Sequence, residues 1–256
     1  TGIIFENCTV GNELQGCFLG LDPTGKIALP NRFYQAVFQN DGNNDVLGGI
    51  DPGSRNVIEN GSVTSSVSAP FGVSIENSKF TQIQNNYLGV QPNGLGVQAN
   101  DTNAISISGG ADGTIVDNAI CASDAGIQLI GDDVIGFTIQ RNNIGVNAAG
   151  YGGAVQANNV GIEIGLGSHG NVIGAASGEN LQTGTYSNYI DNNNGDGIRI
   201  ESNVSNNTVA GYNSIRGNLI SGNGRSGTGV GVDLGGNQAQ LANDDGDADT
   251  GANTLQ

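Results

Sequence analysis

Ile75-Glu76-Asn77-Ser78-Lys79-Phe80, followed at once by Ile83-Gln84-Asn85-Asn86-Tyr87-Leu88-Gly89, is the stretch that decides the fold. An apolar residue, a polar one and a second apolar one lead to Asn, and then to Asn or Gly. Near the start the same phrase appears as Phe5-Glu6-Asn7-Cys8-Thr9-Val10 and Leu14-Gln15-Gly16-Cys17-Phe18-Leu19-Gly20. It returns as Ile139-Gln140-Arg141-Asn142-Asn143-Ile144-Gly145 and as Ile198-Arg199-Ile200-Glu201-Ser202-Asn203. A phrase repeated from end to end is the mark of a stacked architecture.

The short motifs Val73-Ser74-Ile75, Ile105-Ser106-Ile107, Ile127-Gln128-Leu129, Ile162-Glu163-Ile164 and Ile198-Arg199-Ile200 alternate with period two. That period puts the apolar pair on one face and the polar residue on the other. No stretch keeps apolar residues at helical spacing over three turns, and Gly interrupts every candidate. Three-residue strands suit the rungs of a coil better than a hairpin meander. The spacing predicts an all-β fold, a single-stranded right-handed parallel β-helix of roughly 11 or 12 coils. At about 4.8 Å per rung the rod would be roughly 55 Å long. Residues 1–256 are expected to form one such domain, with 237–256 an acidic C-terminal loop or tail. Asn at the corners tolerates left-handed backbone and can ladder with its copies in neighbouring coils.

Composition agrees with thin stacked sheets. Gly contributes 44 residues and Asn 35 of 256, while Met and Trp are absent. Disorder would not require the regular Val, Ile and Leu alternation. Net charge is −16, from 24 acids against 8 bases, which disfavours nucleic acid and anionic membranes as partners. No apolar run approaches a membrane span and no leader precedes the first repeat, so no membrane insertion is expected. The chain opens inside a repeat, which predicts processing or excision from a longer protein. Cys8, Cys17 and Cys121 are odd in number, and Cys8 matches Ser78 while Cys17 matches Asn86, so free thiols are expected.

Longer insertions recur at Gly20–Asn31, Gly89–Asn100 and Gly145–Asn159, and should stack on one side of the rod, where binding is usually found.

The phrases Leu19-Gly20-Leu21-Asp22-Pro23-Thr24-Gly25-Lys26-Ile27-Ala28-Leu29-Pro30-Asn31, Asn171-Val172-Ile173-Gly174 and Asn218-Leu219-Ile220-Ser221-Gly222-Asn223-Gly224 resemble the right-handed parallel β-helix repeats of large secreted bacterial surface proteins. That fold is shared with pectate lyases. The resemblance covers essentially the whole chain and implies an extracellular, cell-surface setting; it implies no particular activity. The leading expectation is non-enzymatic: a structural or adhesive rod or self-stacking filament, whose partners are further copies end to end or cell-surface polysaccharide. The alternative is a polysaccharide lyase or glycoside hydrolase acting along the lateral face.

Candidate chemistry is sparse. Pectin-cleaving hydrolases of this fold use an aspartate trio, Gly-His-Gly and Arg-Ile-Lys. Asp132-Asp133, Ser168-His169-Gly170 and Ile198-Arg199-Ile200 match these poorly in spacing and type. Ser168-His169-Gly170-Asn171-Val172 aligns better with Ala111-Asp112-Gly113-Thr114-Ile115, making His169 a corner residue. Asp132, Asp133 and Arg141 could approach one another as a lyase requires. Glu76, Glu163 and Glu201 stand at the central outward position of their strands, the solvent face. No catalytic residue is assigned. The alternating acids Asp245, Asp247 and Asp249 form the one candidate metal site, for Ca²⁺.

Overall fold

In the computed structural model, the described residues are 1–9, 11–42, 44–59, 61, 71–98, 100, 102–181, 185–201 and 213–235. Asp245, Asp247 and Asp249, and the whole of 237–256, lie outside them. The chain winds as a parallel β-solenoid. Among the described residues, helix is confined to short 3₁₀ turns such as Pro52–Ser54.

Each coil lays down up to four short strands. Sheet I contains Ile3–Glu6, Tyr34–Gln39, Phe71–Glu76, Ile105–Ile107, Ala125–Ile130, Val160–Gly165, Ile198–Glu201 and Val232–Gly235, paired in that order and all parallel. Sheet II has seven strands, from Glu13–Leu14 to Ser214–Arg216, and sheet III seven, from Phe18–Leu19 to Leu219–Ser221. A small sheet IV (Ser78–Lys79, Gly110–Ala111, Val134–Ile135) lines the corner between sheets I and II.

Eight rungs in sheet I replace the expected 11 or 12 coils. At ~4.8 Å per rung these span about 34 Å. Leu14 to Ile83 covers two coils by way of Leu47, and Ile83 to Ile139 two by way of Ile115, where three each were expected. The reason is physical. The apolar-polar-apolar phrase occurs on more than one face of a coil, and the connections inflate it. Sheet I partners lie 22 residues apart at Ser106 and Gln128, and as far as 37 apart at Phe38 and Ile75.

Register puts like residues in columns. Phe38, Ile75, Ile107, Leu129, Ile164 and Ile200 form one interior column of sheet I, each 0 % exposed. Leu47, Ile83, Ile115, Ile139 and Ile173 form the sheet II column, and Ile58, Leu88, Ile120, Ile144 and Ile190 that of sheet III. Phe5 extends the first column and stacks on Phe38, ring centroids 5.0 Å apart. Each such side chain contributes about 1.5–3 kcal/mol on burial.

The turn between sheets II and III holds an asparagine ladder: Asn56, Asn86, Asn118, Asn142, Asn188 and Asn218. In each of the first five the backbone N–H and the Nδ2 both donate to Oδ1 of the next, at 2.8–3.2 Å. Cys17 takes the slot below and donates its backbone N–H to Asn56 Oδ1 at 2.9 Å. Each Nδ2 also donates to the carbonyl of a sheet II core residue, Ile83 for Asn118 and Ile115 for Asn142. Before four of the six ladder asparagines the preceding residue supplies a left-handed corner: Asn85 (φ 56°), Asp117 (φ 59°), Arg141 (φ 56°) and Gly217 (φ 66°).

Candidate functional site

The outer face of sheet I carries the densest polar chemistry among the described residues. Ser106, Gln128, Glu163, Arg199 and Asp233 occupy successive rungs of one outward row. Gln128 Nε2 donates to Glu163 Oε2 at 2.6 Å, and Gln128 Oε1 accepts from Asn103 Nδ2 at 2.7 Å. Arg199 lies 3.7 Å from Glu163, and its Nε donates to Asp196 Oδ2 at 2.8 Å. Asp196, fully buried, also accepts the Val230 backbone N–H at 2.9 Å, so it ties Arg199 to the following coil.

Glu201 belongs to the next outward row. Its carboxylate lies over Gly165, where a Cβ would stand 2.9 Å from Glu201 Oε2. Burial raises the Glu201 carboxyl above its ordinary value; the charge of Glu163 and a hydrogen bond with it raise it further, while Arg199 opposes the shift. Beside Arg199 the pair makes a strip that can donate to and accept from hydroxyl-rich ligands.

The long connections between sheets III and I flank this face. Gly25 packs against Pro92 of the loop two coils on, and Ala148 donates its N–H to Gly94 O at 3.0 Å, so the three insertions stack. Each is closed by an acidic or amide side chain. Asp22 Oδ1 accepts the N–H of Lys26 and Ile27, Asn93 Oδ1 those of Leu95 and Gly96, and Asn147 Oδ1 those of Ala149 and Tyr151. Hydrogen bonds from the Ile27 N–H foremost, then the Thr24 hydroxyl and the Lys26 N–H, hold the Asp22 carboxyl at about 2. Asn100, Ser123, Asp124, Val155 and Asn159 line an open depression of about 340 Å³ on this edge.

The residues singled out from sequence fall as follows. Glu163 does hold the central outward position, but Glu76 and Glu201 stand in the adjacent row, two residues along, because Ser74 and Arg199 fill the central slot. Nor is Glu163 merely solvated: its side chain is 15 % exposed and that of Arg199 17 %. Asp132 and Asp133 do not join Arg141, which forms a bidentate pair with Asp117 at 2.8 Å on another corner. His169 is one residue short of the expected corner slot. It makes a parallel bridge with Ile135 at the margin of sheet IV, and the positive φ falls on Gly170 (68°). Its Nδ1 lies 2.9 Å from Gly167 O. Arg199 is engaged with Asp196 and Glu163, while the Asp132 carboxyl lies against Gly167, two residues before His169. All three cysteines are free thiols. Among the described residues no three acidic, His or Cys side chains cluster as a metal site.

The Glu163–Arg199 relation was missed. Opposite charges at the centres of Ile162-Glu163-Ile164 and Ile198-Arg199-Ile200, about one coil apart, were the available signal. No family model matches the chain, and no curated protein matches it.

Proposed function

We propose that the chain serves as a stiff structural or adhesive rod outside the cell, with its lateral sheet I face meeting polysaccharide. The observation that carries this reading is the asparagine ladder, an unbroken hydrogen-bonded column from Asn56 to Asn218. Identical amide stacks and aliphatic columns favour a persistent shape independent of what the side loops contact. With 24 acids against 8 bases, neutral glycans suit the face better than uronic-acid polymers.

The second reading, polysaccharide cleavage along the same face, draws on the two carboxyls Glu163 and Glu201 beside Arg199; in direct contact they stand closer than the roughly 5 Å or more that glycoside hydrolysis uses, so a substrate would have to part them. One experiment separates the two. The purified chain is incubated with neutral glucans and with uronic-acid polymers, with and without Ca²⁺. Retention of polymer without new chain ends is expected for the rod. New reducing or unsaturated ends that disappear in Glu201→Gln would replace it with the enzyme.

A further inference from the structure

The corner between sheets I and II is built on two columns. One contains Cys8, Asp41, Ser78, Gly110, Val134 and Ser168 in successive coils. The other contains Asn12, Asp45, Thr81, Gly113, Phe137 and Asn171. In the Asn171 coil the corner is closed by amide chemistry. Phe137 donates its N–H to Asn171 Oδ1 at 2.9 Å, and Asn171 Nδ2 donates across the turn to Ser168 Oγ at 2.9 Å.

Asp45 stands in the same slot four coils earlier and makes the matching first bond: Asn12 donates its backbone N–H and its Nδ2 to Asp45 Oδ1, at 2.7 and 2.8 Å. The other oxygen departs from the pattern. Where Asn171 has an N–H donor facing Ser168, Asp45 has Oδ2, which is buried without a donor. Register places Asp41 in the Ser168 column, across the turn from Asp45, and its carboxyl acts on that of Asp45. Asp45 is 1 % exposed and Asp41 3 %. Two ionised carboxylates at that depth would repel each other with little solvent to screen them.

We infer that Asp41 and Asp45 hold one proton between them, so that the protonated pair stands in for an asparagine amide and latches this corner in a pH-dependent way. The hydrogen sits between the two carboxyl oxygens, in the place of the Asn171 amide hydrogen. Burial first, and then the Asp41 carboxyl, raise the Asp45 carboxyl above its ordinary 3.8, against the bonds from Asn12. On the same column the Cys8 thiol is raised chiefly by its hydrogen bond with Asp41. The other charged side chains on the packed strands are Glu6 and Glu13 below and Glu76 and Lys79 above. Glu6, Glu13 and Lys79 are exposed, and Glu76 is half-buried. Since the folded state holds the proton more tightly than the unfolded one, stability falls as pH rises from about 3.8 through the raised value.

The test is the thermal midpoint of the whole chain and of Asp45→Asn, from about pH 4 to about pH 8. Asn supplies the donor permanently. The variant is expected to match the parent at the acid end, exceed it by several degrees at the alkaline end, and show a flatter profile. Hydrogen exchange at Gln82, whose N–H donates to Asp45 O, should quicken with pH in the parent relative to Ser214, the matching amide on Asn171. Infrared spectra taken upward from about pH 4 on the parent and on Glu201→Gln should both keep a protonated-carboxyl stretch above the ordinary 3.8 of an aspartate, a readout independent of whether Asp45→Asn folds. Parallel profiles for parent and variant, or no such stretch, would overturn the inference. So would a rise in the parent midpoint on adding Ca²⁺ that Asp45→Asn abolishes, since the carboxylates would then hold a cation and no proton.

Discussion

Asn118 Oδ1 accepts two hydrogen bonds from Asn86, one from its backbone N–H at 2.8 Å and one from its Nδ2 at 3.1 Å, across 32 residues of sequence. Both residues are buried. Asn118→Ala strands both donors away from water, at about 1–3 kcal/mol each. A total loss of about 2–6 kcal/mol is expected in chemical denaturation, larger than for Asn93→Ala at an exposed loop tip.

Gly110 has φ 118°, and a Cβ there would lie 1.9 Å from the Ser78 carbonyl oxygen of the neighbouring coil. That oxygen is backbone and cannot swing aside. Gly110→Ala should cost at least about 1–3 kcal/mol from the backbone conformation alone. Steric displacement adds to it. Calorimetry of the variant checks this, and an unchanged melting temperature would contradict the close approach.

Arg199→Ala leaves Asp196, whose side chain is 0 % exposed, without its cationic partner. Removing one member of a buried pair destabilises by about 3–5 kcal/mol. Arg199→Met with Asp196→Asn should recover part of the loss, because no buried charge is then left unpaired. A double-mutant cycle measures the recovery.

Glu201 titrates above its ordinary 4.5 because it is buried beside Glu163. A raised carboxyl favours folding while it stays protonated. Stability should therefore decline as pH rises from about 4.5 through the raised value, and Glu201→Gln should flatten that decline. Melting curves across the acid range check the sign.

Cys121 is fully buried, and burial pushes its thiol far above the ordinary range; Cys8 and Cys17 are only half-buried. A thiol reagent at mildly alkaline pH should consume Cys8 and Cys17 in the native protein and Cys121 only after denaturation.

The coil itself was legible because Ile105-Ser106-Ile107 and its copies can satisfy period two only with one face in and one face out. The number of coils was not. Ile75, Ile83 and Leu88 belong to three different sheets of a single turn, yet in sequence they read as copies of one phrase. Asparagine compounds the ambiguity. Asn85 turns the backbone with φ 56°, while its neighbour Asn86 bonds along the axis, and nothing in the residue type separates the two tasks. The His169 alignment slipped by one residue for a related cause, since Gly170 and Asp112 share the positive-φ slot and either neighbour looks plausible. At the candidate site, Glu163 and Arg199 are adjacent only because the intervening coil is 36 residues long. That length depends on a connection whose size no local pattern specifies.

Ala119–Ile120 reaches Ala125–Ile130 through four residues, whereas Asn143–Ile144 reaches Val160–Gly165 through the fifteen of Gly145–Asn159. Both connections deliver their strands in the same register. Changes of length at that edge are thus decoupled from axial bonding. Descendants of such a chain could trade one fringe of loops for another, acquiring new contacts while the spine beneath kept its pitch.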